Sequence, residues 1–313
     1  MDPVTHTLLG LAVGEAFFKS RLGNRALVVS AAAANLPDID ALVMLAGDPG
    51  AVILRRSFGH SLLLLPLWIA GLTWIFQRKY GDLETSDLAV MIAAGCAGHL
   101  LFDFINSFGV QLLWPFSTAR PELGAIFIID LALASFLAAP HLARLKASWR
   151  PALGALNRAA LVAVAFYVAL AFSARQLAAG RLAEETGGRG FQYVFPEPLG
   201  AHRWRGVVKE PGAWRTYLID VSKRTAVPGP VFSDDAMTAP ALAAKDTPFG
   251  QRLMTFFKAP VWTVEPGAGG GAVVSVQDLR FVSLVLPREN PFRYQFDVPP
   301  GGGDVEPRRV KIW

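Results

Sequence analysis

Cysteine is all but absent from this chain of 313 residues: Cys96 is the only one. No intrachain disulfide can form, and no cysteine-based zinc module can be assembled. Inside an apolar run, Cys96 reads as a core thiol. Charge is scarce as well. Asp, Glu, Lys and Arg make up 18% of the residues, against about a quarter in soluble domains. The amino-terminal MDPVTHTLLG lacks the basic stretch of a secretory leader, so the first apolar segment is expected to be retained. There is no internal repeat and no low-complexity tail. The net charge of +5 sits mostly in short loops between apolar runs, as membrane proteins place it, which argues against a nucleic-acid partner.

Apolar residues take the vacated share, at 52%, and the mean hydropathy is +0.36. They are unevenly spread. Long apolar runs fill residues 4–178, whereas 180–313 has the texture of a soluble domain. The length allows about two domains. The predicted organisation is a multi-span α-helical integral membrane domain over 1–179, followed by a β-rich extracytoplasmic domain over 180–313.

Three runs are long enough to cross a hydrocarbon layer of about 30 Å, which takes about 20 helical residues. They lie at 57–77, 86–108 and 158–178. Three more, at 4–18, 26–46 and 122–139, are shorter or broken, the second by Pro37. The expectation is six membrane segments, the first two short or re-entrant. Lys and Arg set the orientation. Loops 19–25, 77–87 and 140–158 hold nine of them, and the alternate loops hold only Arg55, Arg56 and Arg120. The positive-inside rule puts the first set in the cytoplasm and both chain ends outside. In the second domain, alternating runs predict strands at Arg205–Lys209, Arg215–Val221, Ala272–Val276, Phe281–Leu286 and Phe292–Val298. GAGGG at 267–271 and PPGGG at 299–303 read as turns. Neither follows a strand and opens a helix, so neither is a phosphate cradle. His202 stands alone there.

Ionisable residues inside apolar segments are costly and seldom idle, at about 2.5–3.5 kcal/mol for a central Asp. This chain places Asp38, Asp40, Asp103 and Asp130 there, with His6, His60 and His99. In GHLLFD (98–103), His99 and Asp103 are four apart and share a helix face. That suits two metal ligands, and equally a packing hydrogen bond. In NLPDID (35–40), Asp38 and Asp40 follow the proline break. Two carboxylates there repel unless a cation lies between them or the helix ends in water. His60 opens a span and His6 lies early in the first segment, where interfacial histidines also occur. Asp130 reads as a ligand, as an orienting partner of a ligand histidine, or as a helix–helix hydrogen-bonding group. With the orientation above, all seven fall within roughly 12 Å of the outer surface at about 1.5 Å of rise per residue. A shared depth favours one common site.

The pieces DPVTHTLLG (2–10), NLPDID (35–40), HSLL (60–63), HLLFDFINSFGVQLLWPFS (99–117) and FIIDL (127–131) together resemble the YdjM-like family of bacterial inner-membrane proteins, described as metal-dependent hydrolases. The resemblance covers roughly residues 1–140. It implies a multi-pass protein of the bacterial inner membrane in which His6, Asp38, Asp40, His60, His99, Asp103 and Asp130 form the metal site. Trp114, Pro115 and Phe116 match a signature that shapes its wall. Many members read His-Arg-x-x-Thr-His-Ser before the third segment. Here Arg55 stands in place of the histidine and Gly59 in place of the threonine, so one family ligand is missing.

Mixed imidazole and carboxylate ligands suit Zn²⁺, Mn²⁺ or Fe²⁺. The expected function is metal-dependent hydrolysis of an ester or phosphoester at the outer face of the membrane, with Asp38, Asp40 or Asp130 as general base. Arg55, Arg56 and Arg120 lie on the same side and suit an anionic, lipid-linked or phosphorylated substrate. A transporter or ion pathway, or an envelope scaffold pinned by a structural metal, are the alternatives.

Overall fold

A computed structural model describes residues 1–46, 50–286, 292–301 and 305–309. The chain divides into two compact units. One comprises Met1–Leu45 and Leu54–Ser173, the other Ala46–Ile53 and Ala174–Trp313.

In the first unit, helix α1 (Pro3–Val13) starts where a cap and a proline coincide. Asp2 Oδ1 accepts the Thr5 amide at 3.0 Å, and Pro3 takes the first turn, where no amide is needed. The helix widens into a π turn over Gly14–Phe18 and continues as α2 (Lys19–Leu22). Helix α3 (Arg25–Ala33) then meets Pro37 and gives way to a 3₁₀ stretch over Leu36–Ala46, bent by 50° from it. After α4 (Ala51–Leu54), which belongs to the second unit up to Ile53, come a 3₁₀ turn at Phe58–His60, α5 (Leu65–Lys79) and α6 (Thr85–Ile105). Then come α7 (Leu131–Ala143), a 3₁₀ stretch at Ala147–Ala152 and α8 (Leu153–Thr186), which belongs to the first unit up to Ser173.

Helices α1 and α3 touch backbone to backbone. A Cβ on Gly10 would sit 2.4 Å from the Ser30 carbonyl oxygen, so only glycine permits this approach. Beside that contact, Val29 and Ala33 of α3, Leu88, Met91, Ile92 and Cys96 of α6, and Phe76 of α5 form a buried apolar cluster. Cys96 is a core thiol, as expected, and its Sγ faces the Ala33 carbonyl at 3.4 Å.

The count of spans differs from the six expected. Among the described residues, two helices are long and apolar enough to cross a bilayer, or up to four if each bent pair is one span. The reasons are local. The segment at 57–77 is not one helix: Ala51–His60 and Leu65–Lys79 are bent by 73° across the turn after His60. In the segment at 122–139, helix begins only at Leu131, and α7 has 13 residues, short of the roughly 20 a span needs. The segment at 158–178 lies inside α8, whose 34 residues carry the helix past the composition break to Thr186.

The second unit is rich in β-structure. Strands β1 (Gln192–Pro196), β2 (Arg203–Glu210), β3 (Ala213–Asp220) and β4 (Thr225–Ser233) form one antiparallel meander. Helices α9 (Ala239–Asp246) and α10 (Pro248–Phe256) follow. A second antiparallel meander comprises β5 (Pro260–Pro266), β6 (Ala272–Asp278), β7 (Arg293–Val298) and β8 (Glu306–Arg309). Ala178 and Leu182 at the end of α8 pack with Val194, Trp204 and Ile219 of the first sheet. Phe195, Val207 and Trp214 pack with Val261 and Leu279 between the sheets.

Four of the expected strands coincide with β2, β3, β6 and β7, two of them overrunning by one residue, Val221 after β3 and Phe292 before β7. The fifth, Phe281–Leu286, is a 3₁₀ turn and loop. Its polar groups are claimed by a side chain rather than a neighbouring strand: the Leu284 amide and the Ser283 hydroxyl both donate to Glu197. Gly267–Gly271 turns between β5 and β6 as expected. Of the second glycine run, Gly302 and Gly303 lie outside the described residues.

Candidate metal centre

Asp103 is the hub. It sits near the end of α6, fully buried, and its two oxygens serve different neighbours. Oδ1 lies 3.2 Å from His6 Nε2 and contacts the Met1 amino nitrogen, and Asn106 Nδ2 reaches it at 3.4 Å. Oδ2 lies 2.8 Å from Arg56 Nε, 3.1 Å from His60 Nε2 and 3.6 Å from His99 Nε2. The partners arrive in pairs from three segments: Met1 and His6 from the start of the chain and α1, Arg56 and His60 from the stretch before α5, and His99 and Asn106 from α6 and its end.

The histidines are oriented from behind. His60 Nδ1 donates to Asp40 Oδ2 at 2.9 Å, and His99 Nδ1 donates to the Ala34 carbonyl at 2.7 Å. Both acceptors lack hydrogens, which assigns the proton of each ring to Nδ1. Each Nε2 therefore carries a lone pair. The two Nε2 atoms are 3.0 Å apart and both face Asp103 Oδ2. Asp38 completes a group of four, its ligand atom and those of His60, His99 and Asp103 lying within 4.8 Å of one another. Converging lone pairs and carboxylate oxygens repel unless positive charge lies among them, and Arg56 and the Met1 amine supply part of it at Asp103. Asp38 Oδ2, buried and without a hydrogen-bond partner among the described residues, is a further unused donor atom aimed from the same set. Two imidazoles and two carboxylates are a donor set that fits Zn²⁺, Mn²⁺ or Fe²⁺.

Local sequence explains the arrangement. The proline break places Asp38 and Asp40 on a 3₁₀ segment, two residues apart, where they take different tasks. Asp40 Oδ2 also accepts the Ser57 amide at 2.8 Å, so one carboxylate oxygen fixes both the turn and the His60 ring. Gly59 is required by proximity: a Cβ there would stand 2.0 Å from the Pro37 carbonyl oxygen. No side chain larger than hydrogen has room at this position. Arg56 adopts a left-handed conformation, φ 58°, which turns its guanidinium inward. There it meets Asp103, donates to Asn106 Oδ1 at 2.9 Å and stacks 4.5 Å over the Phe108 ring.

Of the seven residues predicted from sequence, the structure brings six together. Asp38, His60, His99 and Asp103 form the four-atom group. His6 stacks on His99 with ring centroids 3.7 Å apart, its Nε2 toward Asp103, and Asp40 stands behind His60. Asp130 is engaged elsewhere. It caps α7 by accepting the Leu133 amide at 2.9 Å and accepts the Tyr167 hydroxyl at 2.8 Å. The three arginines differ in role. Arg56 is an internal counter-charge, Arg55 Nη2 lies 3.3 Å from Asp38 Oδ1, and Arg120 donates to the Arg55 carbonyl at 3.0 Å. Sequence reasoning missed Asn106 and the inward turn of Arg56. Asn106 was legible, three residues after Asp103 on the same helical face. The left-handed residue carried no signal, since arginine rarely takes that conformation.

The family described as YdjM inner membrane protein matches residues 1–178, more than half of the chain. "Uncharacterized protein YfhP" of Bacillus subtilis (strain 168) is 25% identical over 150 residues, covering 46% of this chain and 45% of YfhP. The match thus spans about half the length of that relative. No solved structure matches.

Proposed function

We infer that this chain, which belongs to the YdjM inner membrane protein family, binds one divalent cation through Asp38, His60, His99 and Asp103 and uses it for hydrolysis. One observation carries the reading: two fully buried imidazole Nε2 atoms, 3.0 Å apart, each with its Nδ1 proton committed to an acceptor behind it. When bound, a divalent cation lowers the pKa of a water toward neutrality and polarises an ester or phosphoester oxygen.

The chain's own groups supply the rest. Asp40 holds His60 in the tautomer that leaves Nε2 unprotonated, and the Ala34 carbonyl does the same for His99. His6 packs flat against His99 and fixes its plane. Asp38, its side chain 13% exposed, is the one ligand that meets the exterior, whereas the other three are fully enclosed. A substrate therefore approaches past Asp38 and Arg55. At that edge Asp38 is placed to take a proton from an incoming water, and Arg55 to pair with an anionic leaving group. The Lys and Arg bias of the loops supports placing this edge, and the second unit, outside the cytoplasm of a bacterial cell.

The test is elemental analysis of the full chain purified in detergent, with hydrolysis of p-nitrophenyl phosphate and p-nitrophenyl acetate measured in parallel. Wild type should retain about one zinc, manganese or iron per chain, and His99→Ala and Asp103→Asn should lose it while remaining folded. Hydrolysis should disappear in both. Wild type without metal, or Asp103→Asn with metal content unchanged, sinks the proposal.

A further inference from the structure

An apolar groove of about 630 Å³ runs between α5 and α6 and opens outward. Leu62, Leu65, Ile69, Ala70, Trp74 and Ala89 line it. Its upper end is fastened to the metal centre. Leu62 lies two residues beyond His60, the Leu65 amide donates to the Ser61 carbonyl at 2.9 Å, and the Ser61 hydroxyl donates to the Trp114 carbonyl at 2.6 Å. From Leu65 to Gln77 the groove follows α5 for about 18 Å at 1.5 Å per residue. That exceeds the roughly 15 Å half-thickness of the hydrocarbon layer. Thr73 on its wall is 6% exposed, and its hydroxyl has no partner among the described residues.

Beside the metal centre, on the Asp38 side of His60, Arg55 Nε is buried without an acceptor, and the guanidinium lies 3.3 Å from Asp38, which leaves donors for a second anion. Along α5 and α6 the groove lining is apolar apart from Thr73, Gln77 and Thr85. An anionic headgroup above a single chain matches both. We propose that the substrate is an anionic phospholipid whose acyl chain lies between α5 and α6 and whose phosphate meets Arg55 at the mouth of the site. The inference rests on the metal-centre reading, since it takes that centre as the place where the headgroup is cut.

The full chain is reconstituted in phosphatidylcholine vesicles containing phosphatidic acid with a photoactivatable diazirine on one acyl chain. Metal content is measured on the same sample. Irradiation and peptide mapping should place adducts on residues 62–77 and 85–89 at least fivefold above the outward face of α8. Ala70→Trp, which fills the groove, should cut labelling at least fivefold without loss of metal. Ala89→Phe serves the same purpose if the first variant does not fold. Arg55→Gln should lower labelling by phosphatidic acid, and diacylglycerol with the same diazirine should label weakly. Even labelling of α5, α6 and α8, or equal labelling in the filled variants, would mean ordinary surrounding lipid and overturn the proposal. Equal labelling by diacylglycerol would overturn the headgroup contact. A metal-free wild type would remove the catalytic reading instead, so the two failures are distinguishable.

Discussion

Replacing Asp40 should loosen the cation in two graded steps. Its Oδ2 accepts two bonds, from His60 Nδ1 at 2.9 Å and from the Ser57 amide at 2.8 Å. In Asp40→Asn the amide oxygen can occupy that position and keep both, so only the charge is lost. Bonds to charged groups contribute about 1.5–3 kcal/mol and neutral ones about 0.5–1.5. The difference, about 1–1.5 kcal/mol, corresponds to about tenfold weaker binding. In Asp40→Ala both donors are stranded in a buried setting. The His60 ring is then free to turn or to move its proton to Nε2, which presents N–H to the cation. Losing such an orienting partner costs about 10–100-fold in affinity, and this variant belongs at the upper end. The assay is competition for Zn²⁺ or Mn²⁺ against a chromophoric chelator, with the full chain in detergent and its helicity checked by circular dichroism. Should Asp40→Ala bind as tightly as wild type while His99→Ala loses the metal, Asp40 does not orient His60 and the tautomer argument collapses.

Other substitutions probe separate links. Gly59→Ala should be destabilised by about 1–3 kcal/mol or more, since its Cβ would stand 2.0 Å from a backbone oxygen, and metal content should fall with folded yield. Full retention of both would contradict the close approach. Asp130→Asn and Tyr167→Phe should leave metal content unchanged and shift thermal stability by about 1 kcal/mol, as expected for a cap and a hydrogen bond. Loss of metal in Asp130→Asn would return that residue to the ligand set. In the second unit, Glu197 and Arg205 form a fully buried ion pair at 2.7 Å, with Glu197 also accepting the Leu284 amide at 3.0 Å. Glu197→Ala should cost about 3–5 kcal/mol, because Arg205 would remain as an uncompensated buried charge. Chemical denaturation followed by tryptophan fluorescence reads this, and an unchanged midpoint would refute it.

Much of the site could be read from sequence because a membrane segment makes every ionisable residue conspicuous. His99 and Asp103 were placed together by helical spacing alone. His60 and Asp38 were brought in by depth, which the Lys and Arg bias supplied. Depth does not give lateral position, and that is why Asp130 was grouped with the rest. It caps α7, a task that its place before an apolar run also signals. The second unit was harder. Strand β4 carries Pro228 and Pro230, which suit an edge but break the alternating pattern. Strand β5 lies beside a helical pair that the reading did not anticipate. The signal for α10 was present in Thr247-Pro248, since Thr247 Oγ1 accepts the Gly250 amide at 2.9 Å.

Arg56 shares with the two imidazoles the same carboxylate oxygen of Asp103. A cation settling there meets an anion already partly neutralised from inside the protein. Its hold would be weaker than the ligand count alone implies, because it has a rival that cannot diffuse away. Without an ion, the guanidinium keeps the carboxylate from standing alone, so the nest holds its shape empty. Loading and unloading would then be reversible events, governed by how much metal the surroundings offer.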